Sequence, residues 1–338
     1  MMKICTIFTG GTIGSTLDAS GYIGPKRETA FRVLKLYQEQ FDADVEFSVR
    51  EPYRILSENL GAKNLCLLIE TIQEVLESAK EEKLGGIIVT HGTDTLQYGS
   101  AVLGYVFGNA MIPIVVVSSN YVLEDERANG LINFQYAVEF IRGKHGKGVF
   151  VSYCNRGEYP TIHRATRLQP AIPYSDKVAS VLDSWYGRFE NSNYIANPAY
   201  DVKEGRPSLF EEGEKVNLSD VADGIMVIHP QVGMHYPKIS DYTKVILHGS
   251  YHSGTICIGE ELRCFAEEAK QRNIPIFLSG LLTGEIAYET VKEYQQLGIV
   301  CLHTSAWVAQ YCKLWLTLSN GMEMCQIMRN SVAEDWIY

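Results

Sequence analysis

The sequence has 338 residues, more than one compact core usually holds, and its length suits two α/β domains. Hydrophobic residues make up 46% and charged residues 21%, a globular balance that excludes a disordered or collagen-like chain. The formal net charge is -10, which argues against nucleic acid or an anionic membrane as a partner, because both are bound by basic surfaces.

Apolar runs and amphipathic stretches alternate through the first half of the chain. Runs rich in β-branched residues predict strands at 3–9, 45–49, 86–90, 112–118 and 148–153. Helical spacing of apolar residues predicts helices at 64–82, 94–105 and 129–142. Strands bridged by helices predict a mainly parallel, doubly wound sheet with helices on both faces.

The segment from 187 to 219 breaks this alternation. It is dense in Gly, Pro, Asn and charged residues, and we interpret its greater part as an interdomain linker. Strands are predicted again at 224–228, 244–247, 274–278 and 299–301, with helices at 259–272, 283–297 and 306–318. The predicted organisation is an N-terminal α/β catalytic domain at 1–190, a linker at 191–219, and a smaller C-terminal α/β domain at 220–338.

Several common features are missing from the sequence. The apolar run at 4–8 ends in a Gly-rich turn and is too short for a signal peptide, and no run approaches the length of a membrane span. The eight cysteines form no CxxC pair, and the histidines have no HExxH spacing. We therefore expect a cytoplasmic protein with free thiols, without a metal or cofactor, and not attached to a membrane.

Two predicted strands of the first sheet end in turns that carry hydroxyl groups. The first turn is Thr9-Gly10-Gly11-Thr12, and the second is His91-Gly92-Thr93-Asp94. The first matches neither the GxGxxG nor the GK[ST] pattern of nucleotide sites, so by itself it is a Gly-rich turn. In the second, Asp94 alone could be a helix N-cap. Hydroxyls at two strand ends of one sheet also suit nucleophilic attack on a carbonyl.

Together the two turns resemble the signatures of the bacterial-type L-asparaginase/glutaminase family, TGGTI near the N-terminus and HGTDT near residue ninety. Ser57 in Leu56-Ser57-Glu58 matches the substrate-binding serine of that family, and Tyr22 falls where its loop tyrosine is expected. Asn129-Gly130 and Asn133 are similar to a family helix start. The short spacing from Thr12 to Tyr22 is similar to the cytoplasmic type I branch.

The resemblance implies hydrolysis of L-asparagine to L-aspartate and ammonia through an acyl-threonine intermediate. Thr12 would be the nucleophile, with Tyr22 beside it on a closing loop, and Thr93 and Asp94 would complete the catalytic site. Gly11, Ser57, Glu58, Gly92, Thr93 and Asp94 would bind the substrate. Glutamine differs by one methylene, which is worth only about 1–3 kcal/mol of discrimination, so glutaminase side activity is expected too.

One position departs from the family pattern. The family places a triad lysine in an R-x-x-K segment, where this chain reads Arg164-Ala165-Thr166-Arg167, while Lys177 keeps the family spacing. Arg167 stays protonated and cannot act as a general base, but it could hold Asp94 through a bidentate contact. The segment at 248–255 also departs from the family pattern, in which some members place an asparagine that reaches the substrate of the neighbouring subunit. It has two equal interpretations here, an ordinary Gly-rich turn or a contact with a neighbouring subunit.

Three functions are therefore compared. The favoured one is an asparagine amidohydrolase that forms at least a homodimer, or a homotetramer as in the family. The second is a catalytically weak amino-acid or amide binding protein, motivated by Arg167. The third is the amidase component of a tRNA-dependent amidotransferase, which ranks lower because the acidic balance provides no obvious tRNA surface.

Overall fold

The computed structural model of the chain describes residues 1–17, 20, 22–25, 31–41, 44–219, 224–280 and 288–338. Within these residues eight strands form one mainly parallel sheet and four others form a smaller parallel sheet. The predicted fold class is confirmed. None of the helices in the described ranges is long and apolar enough to cross a bilayer.

Five of the eight strands of the first sheet lie where the sequence predicts strands, and the last three lie where it predicts none. The eight strands are β1 (Met2–Ile7), β4 (Val45–Arg50), β5 (Gly86–Thr90), β6 (Pro113–Val117), β7 (Gly148–Tyr153), β8 (Thr161–Arg164), β9 (Gly187–Glu190) and β10 (Asn193–Ala196). Their order in the sheet is β10-β9-β8-β7-β6-β5-β1-β4, with β8, β9 and β10 antiparallel to their neighbours. A separate hairpin pairs β2 (Ser15–Leu17) with β3 (Ile23–Pro25).

Helices cover both faces of this sheet, as its buried central strands require. They are α1 (Arg32–Gln40), α2 (Ala62–Glu82), α3 (Leu96–Phe107) and α4 (Gly130–Arg142). One apolar cluster joins β5 and β6 to α2 and α3, and the other joins the opposite face of the sheet to α1 and α4. Every residue of β5, β6 and β7 is buried, which explains their continuous apolar sequences.

The second sheet has the strand order β11-β12-β13-β14. Its elements are β11 (Ile225–Ile228), β12 (Val245–His248), α5 (Glu260–Gln271), β13 (Ile276–Leu278), α6 (Thr290–Gln296), β14 (Val300–Cys301), α7 (Trp307–Ser319) and α8 (Met324–Met328). The first part of the helix predicted at 283–297 falls on residues 283–287, outside the described residues.

The sequence did not predict α1, α8, β2, β3 or the last three strands of the first sheet. Two further segments lie elsewhere than the predicted domain limits suggest. The predicted linker begins inside a hairpin, because β10 pairs with β9 at the edge of the first sheet, where Tyr194 packs on Phe189 and His145. The residues at 331–337 leave the second domain and pack on the first, where Arg206 and Val332 form a backbone bridge. The 331–337 segment owes its position to long-range contacts, and β10 to its local pairing with β9 and to the distant ring of His145.

Candidate active site

The two hydroxyl-bearing turns lie side by side at the carboxyl edge of the first sheet. β1 and β5 are parallel neighbours, so the turns that follow them emerge together. The Thr9 hydroxyl donates to the Thr90 carbonyl at 2.6 Å, and the Thr9 amide donates to the Thr90 hydroxyl at 3.3 Å. These two hydrogen bonds, both donated by Thr9, fix the two strand ends to each other immediately before Gly10 and His91.

Glycine is required where the turns meet. Gly11 has φ of 70° and ψ of -178°, a conformation in which a Cβ is strained. A Cβ there would also come within 2.5 Å of the Gly92 backbone, and a Cβ on Gly92 would come within 2.4 Å of the Ser57 hydroxyl. The Gly11, Gly92 and Ser57 segments are therefore in contact, which brings three predicted substrate-binding positions together.

Ser57 joins the site through hydrogen bonds on both of its sides. Gly11 N donates to Ile55 O at 2.9 Å, and Ile55 N donates to Thr9 O at 3.1 Å, so the chain before Ser57 extends the sheet beside the first turn. The Ser57 hydroxyl lies 3.4 Å from Asp94 Oδ2, and the Thr95 hydroxyl donates to Ser57 O at 2.9 Å. Ser57 is buried, whereas the next residue, Glu58, is exposed.

Thr12 and Tyr22 lie on consecutive pieces of chain. Thr12 is half-buried and begins the 3₁₀ turn Thr12–Gly14. The Ser15 hydroxyl donates to Gly11 O at 2.7 Å and so closes this turn. Tyr22 directly precedes β3, which packs against that turn, and 74% of its surface is exposed. Residues 18, 19 and 21 of the intervening loop lie outside the described residues, so the predicted loop closure is not described.

The side chain of His91 is hydrogen-bonded to the backbone of the second turn. Its Nδ1 lies 2.8 Å from the Gly92 carbonyl, which can only accept, so Nδ1 carries the proton. The ring is buried, burial lowers the pKa of His91, and the imidazole is neutral. His91 therefore sets the direction of the Gly92 peptide that leads to Thr93.

The asparagines singled out in the sequence have structural partners at the same sheet edge. Asn133 donates to Ser118 O at 2.8 Å and accepts from Cys154 N at 2.7 Å, and Asn129 donates to Cys154 O at 3.0 Å. These amides join the ends of β6 and β7. They satisfy backbone groups that the sheet leaves unpaired where it ends.

Arg167 points away from the two turns. Its guanidinium is buried and donates to the carbonyls of Glu334 at 2.7 Å, Trp336 at 2.8 Å and Asp201 at 3.0 Å, and it lies 4.2 Å from the centre of the Tyr200 ring. The bidentate contact with Asp94 that the sequence suggested is not among its hydrogen bonds to described residues. The physical reason is the 331–337 segment, whose carbonyls supply the acceptors that a buried guanidinium requires.

Two ion pairs also hold the 331–337 segment on the first domain and on α7. Arg164 pairs with Glu334, whose carboxylate also accepts from the Tyr200 hydroxyl. Burial opposes ionisation of Glu334, but Arg164 and Tyr200 hold the pKa of Glu334 below its usual value. Lys313 holds the same segment, because its amine lies 2.8 Å from Asp335 Oδ2 in a fully buried ion pair.

A cavity of about 380 Å³ opens beside Thr93 and Asp94, and Lys177 is part of its lining. The Lys177 amine donates to Glu158 at 2.8 Å, a hydrogen bond that raises the pKa of Lys177. Asn155 fixes the adjacent backbone, because its side chain both donates to Val178 O and accepts from Val178 N. Lys177 is therefore a positioned cation at the wall of the cavity.

Sequence reasoning noted Lys177 only as a spacing marker and overlooked Asn155 and Glu158. The available signal was the Asn155-x-x-Glu158 spacing directly after β7, at the same sheet edge as the two turns. Elsewhere, the Ser253 and Thr255 hydroxyls lie 2.8 Å apart within the turn at 248–255. In the described part of the chain, no three His, Cys, Asp or Glu side chains are grouped as a metal site would require.

Comparison with known proteins gives one family match. The N-terminal asparaginase family matches residues 3–172. A component of the glutamyl-tRNA(Gln) amidotransferase of Methanobrevibacter smithii is 25% identical over 99% of this chain and 77% of the relative. Among solved structures, the thermostable L-asparaginase from Thermococcus kodakarensis has a TM-score of 0.78 at 20% identity, covering 100% of this chain and 99% of its own. L-asparaginase I from Vibrio cholerae has the same TM-score and coverage at 18% identity.

Proposed function

Because the chain belongs to the asparaginase family, we propose that it hydrolyses the side-chain amide of L-asparagine to give L-aspartate and ammonia. The observation that carries the proposal is the backbone contact of Gly11 with Gly92, which places the segments of Thr12, Ser57 and Thr93-Asp94 at one sheet edge. Hydroxyl nucleophiles and a carboxylate in one cleft suit attack on an amide and capture of an ammonium group.

In this proposal the residues have distinct tasks. The Thr12 hydroxyl attacks the amide carbon, ammonia leaves, and water then cleaves the threonine ester. Asp94 binds the α-ammonium group of the substrate, and the Ser57 hydroxyl, 3.4 Å from Asp94 Oδ2, orients that carboxylate. Thr93 assists proton transfer, and Tyr22 approaches with the loop that precedes β3.

The cation of the site is assigned to Lys177 and not to Arg167. Lys177 lines the cavity that contains Thr93 and Asp94, whereas the hydrogen bonds of Arg167 run to the 331–337 segment and Asp201. A positive charge near the cavity stabilises the negative charge that develops on the amide oxygen during attack. This assignment leaves Arg167, which the sequence suggested as a partner of Asp94, with the role of holding the 331–337 segment.

A second candidate function is favoured by one comparison. The relative from Methanobrevibacter smithii is named as part of a glutamyl-tRNA(Gln) amidotransferase, and this name favours glutamine as the amide that is hydrolysed, with the ammonia passed to a partner. The reacting groups would be the same. Preference for glutamine, together with faster turnover when a partner protein is added, would favour this function.

The test is ammonia release from asparagine and from glutamine by the wild-type chain, Thr12→Ala and Thr93→Val. Thr71→Ala is the matched control, because that hydroxyl donates to Leu67 O on α2, away from the two turns. We expect both site variants to lose at least about a thousandfold in kcat, as removal of a nucleophile or its activation does, and the control to retain full activity.

The other outcomes separate the remaining functions. Ammonia release that survives Thr12→Ala would remove Thr12 from the mechanism. If the wild-type chain released no ammonia but bound asparagine in calorimetry, the chain would be an amide-binding protein. Light scattering of the same samples measures the expected dimer or tetramer.

A further inference from the structure

A larger cavity lies at the other end of α3 from the candidate active site. Its volume is about 590 Å³, within the range of about 300–1,000 Å³ that small-molecule sites occupy. The last turns of α2, the end of α3 and the chain at 108–112 form its floor, and Glu211 to Gly213 form one wall. Since α3 has 12 residues, the two sites are separated by about 18 Å of rigid helix.

The floor of this cavity is apolar. It consists of aliphatic and aromatic side chains contributed by α2, α3 and the loops beside them: Leu76, Ala79, Leu84, Phe107, Ala110 and Ile112. Leu84, Phe107 and Ala110 are buried within the core of the first domain, so the floor is part of a packed structure. Such a surface favours a ligand with an apolar body, which displaces water on binding.

The wall is held in place by side-chain hydrogen bonds. Gln73 Nε2 donates to Glu214 O at 2.8 Å, and Asn109 Nδ2 donates to Phe210 O at 3.3 Å. Glu211 N donates to the Glu214 carboxylate at 2.9 Å, which closes the turn. These contacts join the wall to α2 and to the loop that follows α3, so the cavity is preformed.

The charged side chains that carry the argument are acidic. Glu77 and Glu211 contribute exposed carboxylates to the lining, and the described part of the lining contains no cationic side chain; the side chains of residues 80–82 are not described. α2 and α3 both end at this cavity, and the C-terminal end of a helix carries partial negative charge. An anionic ligand would be repelled, whereas a cation at the rim would be attracted.

We propose that this cavity binds a small amphiphilic cation, consisting of an apolar body with a primary or quaternary ammonium group. The apolar body lies on the floor between α2 and α3, and the ammonium group remains at the rim beside Glu77 and Glu211. Binding requires no chemistry at Thr12, so the site is independent of the proposed amidohydrolase activity.

Calorimetric titration with octylammonium, octanoate and octanol tests the proposal, because these probes share one chain and differ in head-group charge. We expect the wild-type chain to bind octylammonium at least about tenfold more tightly than octanoate, with octanol between them. The double variant Glu77→Gln/Glu211→Gln should lose most of this preference. Glu74→Gln is the control, since Glu74 is an exposed carboxylate of α2 outside the lining.

A filling variant tests the location of the bound chain. Ala79→Phe places a ring over the floor and should abolish binding of octylammonium and octanol alike, with thermal unfolding confirming that the variant is folded. The charge variants alter exposed residues and keep the test decisive if Ala79→Phe does not fold. Undetectable binding of octylammonium to the wild-type chain, or equal binding of octanoate, would overturn the proposal.

Discussion

The backbone of Gly92 lies against Gly11 so closely that a methyl group on Gly11 would come within 2.5 Å of the Gly92 Cα and N atoms. The contact joins the turn after β1 to the turn after β5. It also explains why each turn has glycine at that point, since any side chain would separate the hydroxyl-bearing residues that follow.

The first prediction concerns this contact. Gly11→Ala should abolish ammonia release and destabilise the chain, because the methyl group meets backbone atoms that cannot move independently. Gly321→Ala is the control: Gly321 also has positive φ, at 63°, but nothing lies within 4 Å of its Cβ position. The control should cost only the conformational strain, about 1–2 kcal/mol in urea unfolding. Equal activity losses in the two variants would contradict the steric explanation.

The second prediction separates stability from catalysis at Arg167. Arg167→Met should lower the free energy of unfolding by about 3 kcal/mol or more, because three carbonyls lose their donor and unsatisfied buried acceptors cost about 1–3 kcal/mol each. The kcat of the folded fraction should change little. Arg156→Met, at an exposed arginine, should change neither quantity. A large loss of kcat with unchanged stability would return Arg167 to the active site.

The third prediction concerns Lys177. Lys177→Met should reduce kcat/KM for the amide substrate at least about tenfold, because the cavity loses its positioned positive charge. Lys177→Arg should restore part of the rate, since it keeps the charge near Glu158. Lys63→Met, which removes an exposed lysine of α2, is the control. Unchanged kinetics in Lys177→Met would show that the site works without this cation.

The fourth prediction is a pH dependence of stability from His163. Burial lowers the pKa of His163 from 6.5 to about 4, so between these values the unfolded chain binds a proton that the folded chain does not. This contribution, about 3 kcal/mol, is fully present above pH 6.5 and is lost as the pH falls toward 4.

Urea unfolding over that pH range measures this effect. His163→Gln should flatten the dependence, whereas His252→Gln, at an exposed histidine, should retain the wild-type slope. A wild-type slope in His163→Gln would mean that other groups carry the effect. The Ser180 hydroxyl, 2.8 Å from His163 Nδ1, remains available to the glutamine amide.

Local pattern was sufficient for most of the fold and for the convergence of the two turns. β5 and β7 begin and end at the predicted residues, because continuous apolar runs bounded by glycine and polar residues define buried strands well. The parallel pairing of β1 with β5 then brings Gly11 and Gly92 together without further information.

What the sequence did not indicate depends on distant partners. β10 pairs with the adjacent β9, and the distant ring of His145 stacks on its Tyr194 side chain, a contact that has no local period. The direction of Arg167 depends on carbonyls near the other end of the sequence, so alignment of a short motif could not reveal it. Lys177 lines the same cavity as Thr93 because Asn155 and Glu158 hold the loop that carries it.

The anchoring of the 331–337 segment also has a consequence for biosynthesis. Arg164 and Glu334 are 170 positions apart, so a ribosome has translated the whole first sheet long before the partner of this buried arginine exists. Until then the acceptors that the first domain offers to Arg164 are the Lys147 carbonyl and the Tyr200 hydroxyl, which are neutral and do not balance its charge. A chain released before residue 334 would therefore contain the buried Arg164 guanidinium without its compensating carboxylate.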